Sequence, residues 1–164
     1  MRSLSRYFVI VALAASATVA LSLHSVANKP LAPEEPGAPA TDPQLAGIWL
    51  MESGVNQGQP IPKEQIRGSR MIVRADSISV VDKDEAELYR CTYDYNPSAK
   101  PTAITMTSTM PDREESKVLG IYKVSEKELT LCYALPGGER PTAFKSTKEG
   151  KTMLFKFKRP PEVD

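Results

Sequence analysis

From Leu45 to Arg159 the chain repeats one short-range pattern: a brief run in which apolar and polar side chains alternate, then a cluster of Gly, Pro, Asn, Asp or Ser. Alternation at period two places every second side chain on one face of an extended strand. It cannot make an amphipathic helix, whose apolar positions recur every three to four residues. The runs are Leu45–Glu52, Arg70–Arg74, Ser77–Val81, Leu88–Tyr95, Thr102–Thr107, Lys117–Val124, Leu129–Tyr133 and Thr152–Lys158, with one helical turn expected over Glu64–Gly68 after the Pro60-Ile61-Pro62 bend. No long amphipathic helix interrupts them, so the segment is read as all-β.

Eight or so strands at such short spacing favour pairing between sequence neighbours, and each strand needs its apolar face covered. Closing the meander on itself removes both sheet edges at once. An up-and-down antiparallel barrel is therefore the first expectation and an open sandwich the second. Parity aims Met71, Val73, Tyr93, Tyr95, Ile104, Met106, Tyr122, Tyr133, Phe155 and Phe157 into the barrel as candidate ligand-lining residues. A barrel of this size is either filled by its own side chains or holds one small ligand. Both readings stay open, and the tyrosine hydroxyls need partners in either. Lys117–Val124 has two apolar faces, with Leu119 and Ile121 opposite Gly120, Tyr122 and Val124. Gly120 is read there as a bulge or bend.

The N-terminal part reads as an address. Arg2 and Arg6 precede an uncharged, mostly apolar run, Tyr7–Leu23, and Ser25-Val26-Ala27 puts small residues where a signal peptidase reads them. Residues 1–27 are expected to be a signal peptide, with an N-terminal anchor as the alternative. The membrane is a partner only if this leader stays attached. Residues 28–44 form a Pro-rich linker, with five prolines between Asn28 and Pro43 favouring an extended spacer. Residues 45–159 are the barrel and 160–164 a tail. Export to the periplasm or extracellular space follows from the leader.

Cleavage after Ala27 would remove His24, the only histidine. Ser-His and Cys-His nucleophile pairs and histidine metal sites would go with it. The 21 Lys+Arg residues nearly balance the 20 Asp+Glu, and no basic stripe appears, so nucleic acid is not an expected partner. Asp82, Asp84, Glu85 and Glu87 cluster at a hairpin tip without the Gly and distal Glu of an EF-hand loop. They are read as a solvated turn, as is Asp112–Glu115. Pro136-Gly137-Gly138 lacks the Lys and following helix of a phosphate loop. Beside it, Glu139 and Arg140 either pair locally and hold the loop, or sit at a barrel mouth and meet a polar ligand group. Cys91 shares the inward face of Tyr93, while Cys132 alternates with Leu131 and Tyr133 and faces out. Opposite faces keep two Cβ atoms beyond the ~4 Å that a disulfide needs.

Several segments carry a resemblance. Leu45-Ala46-Gly47-Ile48-Trp49 has the G-x-W pattern of lipocalins. Three further stretches are more specific: Leu119-Gly120-Ile121-Tyr122-Lys123-Val124, Leu129-Thr130-Leu131-Cys132-Tyr133-Ala134, and Pro136-Gly137-Gly138-Glu139-Arg140-Pro141-Thr142-Ala143-Phe144. With Gly58-x-Pro60-Ile61-Pro62 and Lys100-Pro101-x-Ala103-Ile104, the chain resembles the uncharacterised lipocalin-like domain family abundant in planctomycete bacteria, over about seven-tenths of its length. The resemblance implies a lipocalin-like barrel in an exported protein, with Gly47 and Trp49 in the structural plug and Arg159 lying over the Trp ring. The expected function is non-enzymatic binding of a small amphipathic ligand or an envelope partner, with no cofactor and no metal. Small-barrel periplasmic protease inhibitors also open with L-A-G-x-W, which makes inhibition through the N-terminal segment the alternative. A carboxylate-based enzyme comes after both.

Overall fold

A computed structural model describes residues 42–108 and 115–161. The stretch read as a signal peptide, most of the stretch read as a linker, residues 112–114 of the second acidic loop and the end of the tail lie outside these. The described chain is an all-β, closed, up-and-down antiparallel barrel of eight strands with one short extra strand. The elements are β1 (Gly47–Asn56), β2 (Gln59–Pro60), α1 (Lys63–Ile66), β3 (Arg70–Val73), β4 (Ser77–Val81), β5 (Glu87–Asn96), β6 (Thr102–Ser108), β7 (Lys117–Val124), β8 (Glu128–Ala134) and β9 (Thr152–Lys158). β1 and β3 to β9 pair in sequence order, and β9 closes back on β1 from Leu50↔Lys158 to Asn56↔Met153. β2 is the extra strand, folded back on the end of β1 with Val55↔Pro60 and Asn56↔Gln59 in register.

Each strand turns its alternating apolar residues inward. Leu45, Trp49, Met71, Val73, Ile78, Cys91, Tyr93, Ile104, Met106, Val118, Tyr122, Leu129, Leu131, Phe155 and Phe157 are buried in one continuous core. The registers Tyr93↔Met106, Ile104↔Gly120, Tyr122↔Leu131 and Leu131↔Phe155 carry that face around the barrel without a break. Irregularities fall between Met51 and Ser53 and between Val80 and Val81. Gly120 is therefore not a bulge, a correction to the sequence reading. It keeps register on both sides, and a Cβ there would press on Ile104, the Cys132 carbonyl and the Tyr133 Cβ. The missing side chain lets the inner wall close.

The second apolar face of β7 has its own cover. Ile121, Cys132 and Ala134 point outward yet are buried, because the 135–151 connection folds onto this wall. Arg140 anchors it: one guanidinium nitrogen donates to the carbonyls of Ile104 and Gly120, and the other to Thr105 Oγ1 at 3.0 Å. Lys123 lies 5.3 Å from the Phe144 ring centroid. Arg140 thus serves backbone carbonyls on the outer wall, in place of Glu139 or a ligand at a mouth; Glu139 is exposed. Cys91 lies inside and Cys132 outside, its thiol directed at the Lys145 carbonyl 3.6 Å away, and both are free.

Candidate functional site

The two ends of the barrel differ in how their polar groups are satisfied. At one end Trp49 is completely buried and its indole N–H donates to the Leu45 carbonyl at 2.8 Å. Arg159 lies over the ring, Cζ 3.9 Å from the centroid, and donates to the carbonyls of Ala46 and Gln44 at 2.8 Å each. The cation–π contact and two charge-assisted hydrogen bonds act on the same turn. Gly47 has φ +112°, and a side chain there would collide with the Arg159 guanidinium, which accounts for the glycine of G-x-W.

The same end takes in Asp42, a residue the sequence reading assigned to the linker. Its backbone carbonyl accepts from Leu45 and Ala46, and one carboxylate oxygen accepts from the Gln44 amide. The other carboxylate oxygen accepts from the Tyr122 hydroxyl at 2.8 Å. Burial and this bond hold the Tyr122 phenol well above its ordinary range. Tyr95 is also raised, by burial and then by the Asp42 charge. Tyr93 donates to the Arg74 carbonyl at 3.0 Å. The fold thus begins by Asp42, and the Asp42-Pro43 pair, a turn-initiating dipeptide, was the available signal. A groove of about 360 Å³ runs outside this end between Asp42, Gln44 and the Pro97–Pro101 turn.

At the other end the packing loosens. Tyr89, Tyr133, Val80, Met153 and Ile61 are half-buried against the core. The registers Val80↔Tyr89, Ile78↔Cys91, Cys91↔Ser108 and Tyr133↔Met153 set the positions. The Tyr89 phenol interacts with the Cys91 thiol and the Ser108 hydroxyl, and lies close enough to Tyr133 to feel its charge. The Tyr133 ring stacks on Phe155 with centroids 6.1 Å apart. No protein group among the described residues hydrogen-bonds its hydroxyl. Burial, and then the neighbouring thiols, push the Tyr133 phenol upward. Burial pushes Cys91 up to about 11.

Ile61 covers part of this end. Its amide donates to the Gly54 carbonyl at 2.8 Å, and its side chain sits beside Gly54 and Phe155. Ile66 anchors the rest of the β2–α1 segment by burial, and a groove of about 460 Å³ opens outside between α1 and Met51.

Of the ten candidate lining residues, Met71, Val73, Tyr93, Ile104, Met106, Tyr122, Phe155 and Phe157 lie within the packed core. Tyr95 and Tyr133 lie at its two ends, half-buried. Tyr89 and Ser108 belong with Tyr133, although neither was a candidate: Tyr89 shared the predicted inward face, and Ser108 lies one residue past the expected strand end. The acidic tip is a hydrogen-bonded turn, with Asp82 accepting from the amides of Asp84 and Ala86. Glu85 pairs with Arg70 and Glu87 with Arg90, both on the outside. Among the described residues no group of three His, Cys, Asp or Glu side chains could hold a metal ion. No protein-family model, curated protein or solved structure matches the chain.

Proposed function

We propose that the chain is an exported, non-enzymatic, lipocalin-like binding module that holds a small amphipathic molecule at the open end of its barrel. The observation that carries this reading is the Tyr133 hydroxyl: on a half-buried ring among mostly apolar side chains, it is bonded by no protein group among the described residues. Such a hydroxyl is left for water or for an oxygen of a bound molecule to pair with. Tyr89, Cys91 and Ser108 supply further donors and acceptors beside it, and Ile61, Val80, Met153 and Phe155 supply apolar surface. Export rests on the leader, with Arg2, Arg6 and the apolar run Tyr7–Leu23. The deeper candidates Met71, Val73, Ile104, Met106 and Phe157 support the wall from behind.

Native mass spectrometry of the protein expressed with its leader and recovered from the cell envelope tests the reading. The expected result is a chain starting at Asn28 that carries a solvent-extractable small molecule, lost in Tyr133→Ala. A bare mass, with a protease or envelope protein retained only while residues 28–41 are present, would replace it with the inhibitor reading.

A further inference from the structure

We infer that the molecule held at the open end is electrically neutral, with one hydroxyl or carbonyl oxygen turned inward onto Tyr133 and an apolar remainder against Ile61, Val80 and Met153. This rests on the open end being a binding site and specifies what that site accepts.

The argument is one of charge. Among the described residues, the inward-facing positions near this end are Val80, Tyr89, Cys91, Met106, Ser108, Val118, Tyr133, Met153 and Phe155, none of them charged. On the neighbouring strands Arg70 pairs with Glu85 and Arg90 with Glu87, both on the outer face. A carboxylate or ammonium brought to Tyr133 would shed its hydration and meet no counter-charge, a loss that neutral hydrogen bonds do not make up. A hydroxyl or carbonyl oxygen forfeits far less and regains it from the phenol, which can donate or accept. The site also resists negative charge on its own groups, since burial raises the Tyr89 and Tyr133 phenols and the Cys91 thiol together. The phenols stay neutral at ordinary pH, so nothing there holds an ammonium either.

Three probes of equal chain length separate the classes: octanol, octanoate and octylamine. Each is titrated at neutral pH into the leader-free protein, by calorimetry and by the chemical shift of the Ile61 δ1 methyl. The expected result is saturable octanol binding that moves the Ile61 methyl, about tenfold or more tighter than either charged probe. Octanoate should gain affinity only as pH falls to ~4–5, where its carboxyl takes up a proton. Tyr133→Phe should weaken octanol several-fold while leaving the far-ultraviolet circular dichroism unchanged. Octanoate or octylamine binding as tightly as octanol at neutral pH would overturn the charge inference and leave the binding site standing. Octanol binding equally well to Tyr133→Phe would overturn the role of the phenol. If none of the three moves the Ile61 methyl, the binding site itself is refuted and the inference falls with it.

Discussion

The plugged and open ends use the same residue type to opposite effect. Tyr93 and Tyr122 near the plug each donate to a specific oxygen, of Arg74 and Asp42, and Trp49 does the same to Leu45. At the other end the Tyr89 phenol lies beside the Cys91 thiol and the Ser108 hydroxyl, and Tyr133 has no bond from the described protein. Both pairs of tyrosines are inward-facing; Tyr93 and Tyr122 are buried, Tyr89 and Tyr133 half-buried. One end therefore spends its polar groups on closing the barrel, and the other leaves one of them unused. A buried polar group contributes to stability only when paired, so the plugged end is held by its hydroxyls and the other end is not; the proposed binding site is at the latter.

The largest effect should come from breaking the plug. Trp49→Ala removes the largest fully buried side chain and strips the platform beneath Arg159. A loss of about 3–5 kcal/mol is expected in a denaturant titration. That is a large share of the ~5–15 kcal/mol that folds a domain of this size.

Alkaline pH should come next. Cys91 is raised from 9.0 to about 11, and Tyr89, Tyr95, Tyr122 and Tyr133 are all raised from 10.0. Groups with raised folded pKa values leave stability intact below their unfolded values, and it is lost as pH climbs toward the folded ones. Stability should therefore be level to about pH 9 and then fall, with a slope of up to ~1.4 kcal/mol per pH unit for each group engaged. Cys132 is raised from 9.0 as well, so only the double change Cys91→Ala with Cys132→Ala should delay the onset by about one pH unit, from the thiols' 9.0 to the phenols' 10.0. A stability that stays flat to pH 11 would mean the phenols are not desolvated.

Arg159→Met should cost about 2 kcal/mol, since it keeps much of the aliphatic stem but loses the cation–π contact and two charged hydrogen bonds. Tyr122→Phe should cost about 1 kcal/mol through the bond to Asp42. Tyr133→Phe is the sharpest contrast: the same deletion of one oxygen should change stability by less than ~0.5 kcal/mol, because no protein partner is lost. Equal losses for the two Tyr→Phe changes, measured side by side by urea unfolding, would erase the distinction between the ends.

Most strands were legible because alternation is local. Ser77–Val81, Lys117–Val124 and Thr152–Lys158 have the bounds read from the sequence, and the others differ by a few residues at their ends. The pairing of Trp49 with Arg159 was legible through the G-x-W resemblance, and the free state of the cysteines agrees with parity alone. Asp42 was missed because proline density obscured a turn that matters only once Tyr122 arrives, eighty positions later. Arg140 was misplaced because its partners are backbone carbonyls of β6 and β7, which carry no sequence signal.

Alternating side-chain chemistry, by itself, determined that this chain makes short strands and which face of most of them is apolar. Those properties depend on neighbours two residues apart. The pairing of β9 with β1, which closes the barrel, was decided by tertiary structure. Tertiary structure alone decided which outer wall the 135–151 segment covers, that Gly120 closes a wall instead of bending a strand, and that Tyr89, Cys91, Ser108 and Tyr133 meet at one end. Register around a closed barrel sets those meetings, and a shift of one residue in any strand would turn its side chains to the other face.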